Sequence, residues 1–102
     1  MALPTKLMLE IVTPDRSLVN EQVDEVQLPG AEGYFGVLPG HVPFLTGLRA
    51  GVLIWRRGRE TGAAAVGTGF AEVANDRVVV LTDAGMLADK VDAEAARLEL
   101  EA

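Results

Sequence analysis

The sequence predicts an all-β domain, an antiparallel sandwich or barrel, followed by a short helical segment at the carboxyl end. Eleven glycines and five prolines divide the first ninety residues into short runs, and several of those runs are apolar and β-like. Short strands separated by turn signals every several residues are typical of sandwiches and barrels. The last eleven residues differ in character and are rich in good helix formers. We therefore expect a β domain at residues 1–91 and a helical segment at 92–102.

The predicted strands follow one another closely along the chain. Pro14, in Thr13-Pro14-Asp15, ends the first strand because proline cannot donate to a β-ladder. Asn75-Asp76 predicts a tight hairpin between the last two strands, since both residue types tolerate positive φ angles. The strands are expected at Lys6–Val12, Gln22–Leu28, Gly51–Arg57, Ala63–Val66, Phe70–Ala74 and Arg77–Thr82.

The carboxyl-terminal segment can begin at Asp92, whose side chain is suited to cap a helix that continues to Ala102. Ten helical residues are fewer than the ~12–15 that an isolated helix needs for marginal stability in water. The segment therefore either packs on the sheets or begins something longer.

Composition narrows the function classes. A chain of 102 residues predicts one domain, and its net charge of −6 argues against nucleic-acid binding, which depends on cationic side chains. The absence of cysteine excludes disulfides, thiolate metal sites and cysteine nucleophiles. No signal peptide is evident, and no apolar run approaches the ~18 residues of a membrane span. The 49% apolar content therefore predicts a core, or an apolar surface that is covered in an assembly.

Few residues could support catalysis. His41 is the single histidine and lies in the turn-rich segment Pro39-Gly40-His41-Val42-Pro43, so a zinc site is not expected. Ser17 is the single serine and lies in no nucleophile elbow. Carboxylates at Asp24-Glu25, Asp83 and Asp89 could form a pair in principle, but nothing in the sequence brings two of them to one cleft.

Two further motifs have simpler explanations than ligand binding. Gly67-Thr68-Gly69 would open a dinucleotide fingerprint, but Glu72 stands where glycine or alanine is required. The cluster Trp55-Arg56-Arg57 with Arg59 could bind single-stranded nucleic acid, yet charges near a hairpin tip also protect a sheet edge from aggregation. We predict turns and a solvated hairpin, and no cofactor.

One longer motif carries a specific resemblance. The segment Glu32–Thr46, which contains Gly33, Gly36 and Pro39-Gly40-His41-Val42-Pro43, resembles the signature of the epsilon subunit of F-type ATP synthase (the delta subunit in mitochondrial naming). The match resumes at Gly67–Val73 and Asn75–Asp83 and covers about residues 6–92. The resemblance implies a sandwich of two antiparallel sheets. The sequence agrees, because the prolines fix φ and the glycines permit tight turns.

The resemblance also implies a function. It implies a non-catalytic subunit of the central stalk, one copy within a hetero-oligomer, that binds the gamma subunit and rests on the ring of c subunits. There it would help couple proton (or sodium) flow to ATP synthesis at other subunits. The implied location is peripheral, on the cytoplasmic face of the bacterial inner membrane.

By the same resemblance, individual residues acquire expected roles. Tyr34 faces the c-ring and stands where some relatives have an acidic residue, so that it offers aromatic area and a hydroxyl; Thr13 and His41 lie near gamma. The other residues expected to matter are the partner-binding Phe35 and Phe44 and the structural turn residues Gly33, Gly36, Pro39, Gly40 and Pro43.

The carboxyl end departs from the family pattern. Relatives with a two-helix hairpin can inhibit ATP hydrolysis, and in some an arginine near its start helps to bind ATP. Here Ala95 stands in place of that arginine within Val91–Ala96, and we expect no second helix. The sequence therefore predicts neither ATP binding nor inhibition by helix insertion.

Two alternatives stay open at this point. One is a free-standing β-sandwich module that binds a small ligand or sugar, and the other is an enzyme that uses His41 or a carboxylate pair. A rotor subunit differs from both in one respect, since it should expose a sizeable apolar patch for its partners.

Overall fold

The computed structural model describes residues 6–88, which form ten β-strands. The expected helix at 92–102 and the expected domain boundary after residue 91 lie outside the described residues. The strands are β1 (Leu7–Val12), β2 (Ser17–Val23), β3 (Glu25–Gly30), β4 (Gly33–Val37), β5 (Phe44–Leu48), β6 (Gly51–Arg57), β7 (Glu60–Val66), β8 (Gly69–Ala74), β9 (Arg77–Thr82) and β10 (Gly85–Ala88).

The strands form two layers that meet at one corner. The hydrogen-bonded strands follow one continuous order, β10-β7-β6-β3-β5-β8-β9-β1-β2, with β4 paired to β3. We call β10, β7, β6, β3 and β4 the first sheet, and β5, β8, β9, β1 and β2 the second. Strand β3 pairs with β6 over residues 25–27, and its last residue, Gly30, then pairs with Leu48 of β5. The continuous sheet is thereby folded into a sandwich. This confirms the all-β prediction.

One pairing differs from the predicted all-antiparallel arrangement. Strand β1 runs parallel to β9, with Leu9 opposite Val78 and Ile11 opposite Val80. These two strands are distant in sequence, and the chain passes through strands β2 to β8 between them. Because parallel neighbours need such a long connection rather than a hairpin, local sequence patterns carry no signal for this pair.

The core lies between the sheets and follows the alternation of the strands. In β1 the residues at alternate positions, Leu7, Leu9 and Ile11, are fully buried. Across the interlayer space, Leu53 and Val26 of the first sheet are also fully buried. Burying such a side chain contributes about 1.5–3 kcal/mol, so the two inner faces supply the main favourable term in folding.

Predicted strand positions agree best where the sequence is most apolar. Strands β6 and β9 have the predicted bounds, and β8 begins one residue earlier than expected. The predicted strand Gln22–Leu28 is instead split, because Asp24 makes a turn between β2 and β3. The sequence reading missed β2, β4, β5 and β10. Asn75 and Asp76 have φ angles of 52° and 57°, as the hairpin prediction required.

Asp24 ties the β2–β3 turn to the tip of the β6–β7 hairpin. Its carboxylate accepts a hydrogen bond of 2.6 Å from the Gly58 N–H, pairs with Lys6 and lies 3.5 Å from Arg56. Its own N–H donates to the Arg56 carbonyl at 2.7 Å. The Gly58 N–H above all, and then Lys6, hold the pKa of Asp24 below its usual value. The ionised carboxylate therefore stabilises this end of the sandwich.

This arrangement predicts a pH-dependent effect of Asp24→Asn. Because the folded pKa lies below the unfolded value of about 3.9, the carboxylate stabilises the fold above about pH 4, and that stabilisation is lost as the pH falls through the folded pKa. Urea unfolding at pH 7 should show the variant to be less stable, and the gap should narrow below pH 4. Asp15→Asn, in the exposed β1–β2 turn, is the control and should leave stability unchanged. A gap that stays constant with pH would contradict this account.

Candidate interaction surfaces

The segment between β4 and β5 is a tight turn fixed to a neighbouring hairpin. The His41 N–H donates to the Leu38 carbonyl at 3.1 Å, with Pro39 and Gly40 as the two central residues. Gly40 has a φ of +86°, which is the angle that the third residue of a type II turn needs and that glycine adopts without strain. The Gly40 N–H also donates to Asp76 Oδ1 at 2.6 Å. The turn is therefore closed by its own hydrogen bond and tied at Gly40 to the β8–β9 hairpin.

Three of the expected site residues meet beside this turn. The rings of Phe35 and Phe44 make an edge-on contact with centroids 5.4 Å apart, and the His41 ring lies 6.2 Å from Phe44. His41 Nδ1 is 2.6 Å from the Val42 carbonyl oxygen, so this nitrogen carries a proton and donates it. Phe44 keeps 44% of its surface exposed. This cluster presents an aromatic surface.

Thr13 and Tyr34 lie away from that cluster. Thr13 closes the β1–β2 turn, where its N–H donates to the Arg16 carbonyl at 2.9 Å and its hydroxyl oxygen accepts from the Arg16 N–H at 3.3 Å. The Tyr34 hydroxyl donates to the Val52 carbonyl at 2.8 Å and accepts from the Val52 N–H at 3.0 Å. The chain itself therefore uses this hydroxyl both as a donor and as an acceptor.

The strand register shows that Thr13 and the aromatic cluster are at opposite ends of the second sheet. Phe44 pairs with Val73 of β8, Val73 pairs with Val78 of β9, and Val78 pairs with Leu9 of β1. Thr13 lies four residues beyond Leu9, which is about 13 Å along a strand. Thr13 and the aromatic cluster thus lie at the two ends of the second sheet.

The expected turn residues take different positions. Gly33 has a φ of +133° at the β3–β4 hairpin, and Pro43 is exposed directly before β5. Gly36, which we expected in a turn, lies instead within β4, opposite Gln27. Its φ is not positive, and the nearest atom to an added Cβ would be 3.9 Å away. The strand pairing distinguishes the glycines in turns from the glycine within β4, and sequence alone does not give that pairing.

An apolar row crosses the outer face of the second sheet between those ends. Phe70 of β8 is opposite Leu81 of β9, which is opposite Val12 of β1, and Leu45 of β5 lies diagonally from Phe70. Phe70, Leu81 and Leu45 are 61%, 53% and 69% exposed. We call these four residues the apolar row. The sequence reading missed it, although alternation in β8 already puts Phe70 on the same side as the exposed Glu72.

Charged residues border the apolar row. Arg77 and Glu10 form an ion pair of 3.1 Å between β9 and β1, and Glu72 lies two residues from Phe70 along β8, on the same face. An apolar strip edged with charged side chains is the pattern of a protein-binding surface. Across residues 6–88, no group of three or more His, Cys, Asp or Glu side chains is placed to hold a metal ion. In the same range, no helix is long and apolar enough to cross a membrane.

A two-layer β domain whose distinctive surfaces are an apolar row and a rigid aromatic turn belongs to the class of interaction domains. The beta-sandwich domain of the ATP synthase delta/epsilon chain family matches residues 6–88. The chain belongs to this family.

Curated relatives agree with that assignment. The chain is 48% identical over 91 residues to an ATP synthase epsilon chain of Nitratidesulfovibrio vulgaris, covering 89% of this chain and 68% of the relative. It is 49% identical over 87 residues to that of Magnetococcus marinus, covering 85% and 64%. The chain thus spans about two thirds of the length of these relatives, and the resemblance seen in its sequence is confirmed.

Solved structures show the same fold. One chain in the Euglena gracilis mitochondrial ATP synthase assembly (OSCP/F1/c-ring) superposes with a TM-score of 0.79 at 25% identity, covering 97% of this chain and 66% of that one. A chain in the central stalk/c-ring assembly of Tetrahymena thermophila superposes at 0.68 with 14% identity, covering 83% and 69%, which shows the fold alone.

Proposed function

We propose that this chain is a non-catalytic central-stalk subunit of an F-type ATP synthase, where it joins the gamma subunit to the c-ring. In that position it helps to couple ion flow through the ring to ATP synthesis at other subunits. The observation that carries the proposal is the apolar row, found on a member of the delta/epsilon family. A free-standing ligand-binding module has no support from the relatives, which are named epsilon chains.

The apolar row is the surface that we assign to gamma. Its three large side chains, Leu45, Phe70 and Leu81, are more than half exposed, and isolated soluble domains rarely leave a contiguous apolar area of this kind uncovered. Thr13 directly follows Val12 of the row, so a partner on this face would also lie close to the β1–β2 turn, whereas Phe44 is paired with the buried Val73 and belongs to the opposite face of β5.

The β3–β4 hairpin is the surface that we assign to the c-ring. Its turn consists of Ala31 and Glu32, both exposed, and Tyr34 follows directly. Because the Tyr34 hydroxyl is bonded within the chain, this hairpin presents the aromatic ring of Tyr34 and the turn residues to a partner. As part of the synthase, the subunit would lie at the cytoplasmic face of the bacterial inner membrane.

Reconstitution tests this proposal. Membrane vesicles carrying a synthase stripped of its epsilon subunit should regain ATP-driven ion pumping when the full chain is added. The chain should also sediment with the vesicles, and only when gamma is present. Folded chain that neither sediments nor restores pumping would contradict the proposal.

A further inference from the structure

In the first sheet, the Tyr34 hydroxyl makes hydrogen bonds that the backbone of a neighbouring strand would ordinarily make. It bonds to both backbone groups of Val52, as donor at 2.8 Å and as acceptor at 3.0 Å. Tyr34 is on β4 and Val52 on β6, with β3 between them. The side chain therefore reaches across a neighbouring strand to make these bonds.

The reason for this bridge lies in β3. Its register with β6 pairs Gln27 with Ile54, so the next residue facing the same way, Pro29, falls at the position opposite Val52. Proline has no N–H to donate, and β3 leaves β6 here and pairs with β5 at Gly30. The Val52 N–H and carbonyl thereby lose their strand partner. A phenol supplies both a donor and an acceptor, and Tyr34 is the cross-strand neighbour of Pro29.

The bridge also fixes the hairpin that contains Tyr34. On the β3 side, the hairpin is held to the second sheet by the Ala31 N–H, which donates to the Gly47 carbonyl at 3.0 Å. Among the strands of residues 6–88, β4 pairs with β3 alone, and Tyr34 adds a second attachment, to β6. The fit is close, since a Cβ added at Gly51 would lie 3.1 Å from the Tyr34 hydroxyl oxygen and 2.9 Å from Pro29 Cβ.

We propose that Tyr34 is a positioning residue, whose hydroxyl takes the place of the missing β3 rung at Val52 and so fixes the β3–β4 hairpin turn. The inference rests on the proposed function in one respect, namely that this turn faces the c-ring. Tyr34 then governs that contact through the position of the turn, and its hydroxyl bonds to β6 instead of to the ring of c subunits.

Amide hydrogen exchange in the full chain tests the bridge itself. Tyr34→Phe removes the hydroxyl and little else, so the Val52 amide should exchange about tenfold faster, because the hydrogen bond that this N–H donates is lost. The Leu9 and Val80 amides in the second sheet should not change. Thr46→Val is the matched control, because that hydroxyl bonds only to the carbonyl of the adjacent Gly47. Unchanged exchange at Val52 in Tyr34→Phe would overturn the inference.

A second variant disturbs the bridge from the opposite side. Gly51→Ala keeps the Tyr34 hydroxyl but crowds it, and should accelerate exchange at Val52 as well. If Tyr34→Phe failed to fold, this variant would still decide the matter, since native exchange at Val52 in Gly51→Ala would overturn the inference.

The positioning role needs a readout in the synthase. Tyr34→Phe should still bind gamma but should lose ion pumping per ATP hydrolysed, and 4-aminophenylalanine at position 34, which can donate and accept, should restore it. Pumping that is unaffected by Tyr34→Phe would overturn the positioning role. Failure of the proposed function differs from this, because the unaltered chain would then restore no pumping.

Discussion

Replacing Gly69 by alanine is expected to destabilise the chain by about 3 kcal/mol or more. Gly69 begins β8 and pairs with Thr82 of β9 and with Leu48 of β5. A Cβ at this position would lie 1.9 Å from the Leu81 carbonyl oxygen and 2.8 Å from Thr82 Cα. Both atoms are backbone, so the clash can be relieved only by moving β8 away from β9. Urea-induced unfolding at neutral pH measures the effect.

Gly36→Ala is the matched control for that experiment. Gly36 also lies in a strand, but the nearest atom to an added Cβ, the Val26 carbonyl oxygen, is 3.9 Å away. Alanine there should leave stability unchanged or raise it by at most about 1 kcal/mol, by restricting the unfolded chain. Equal stability of Gly69→Ala and the unaltered chain would contradict the strand packing described here.

Phe70→Asp is expected to abolish binding to gamma without unfolding the chain. Phe70 is central in the apolar row and 61% exposed, so its replacement should change the free energy of unfolding by no more than about 1 kcal/mol. In the complex the new carboxylate would be buried against an apolar surface, which should weaken binding ~100-fold or more. Calorimetric titration of gamma with the full chain measures the loss.

Met86→Asp provides the control for this substitution. Met86 is 67% exposed and lies on β10 of the first sheet, so the same charge is introduced on a surface that we do not assign to gamma. Its affinity for gamma should match that of the unaltered chain. If both variants bound gamma normally, the apolar row would not be the docking surface.

The fold could be predicted from the sequence where the evidence is local. The apolar run of β6 and the Asn75-Asp76 turn each act over a few residues, and both were placed correctly. Strand β2 was missed because its two buried residues, Val19 and Val23, are separated by three polar residues, among them Asn20 and Glu21, which are poor strand formers. The parallel pairing of β1 with β9 depends on residues almost seventy positions apart, for which no short pattern exists.

The candidate site was predictable in part for the same reason. The segment around His41 carries a specific motif, so its residues could be named before the structure was known. The apolar row could not, because Phe70, Leu81 and Val12 become neighbours only through the register of three strands. The use of the Tyr34 hydroxyl was likewise hidden, since it depends on Pro29 falling opposite Val52.

Thiol accessibility in the assembled synthase tests the central claim most directly. The chain has no cysteine, so Leu81→Cys and Glu32→Cys each introduce one thiol, on the apolar row and on the hairpin turn. Arg59→Cys, at the exposed β6–β7 tip, serves as the control. We predict that assembly with gamma and the c-ring slows alkylation of the thiols at positions 81 and 32 but not at position 59. Alkylation at positions 81 and 32 that is as fast in the assembled synthase as in the isolated chain would contradict the account.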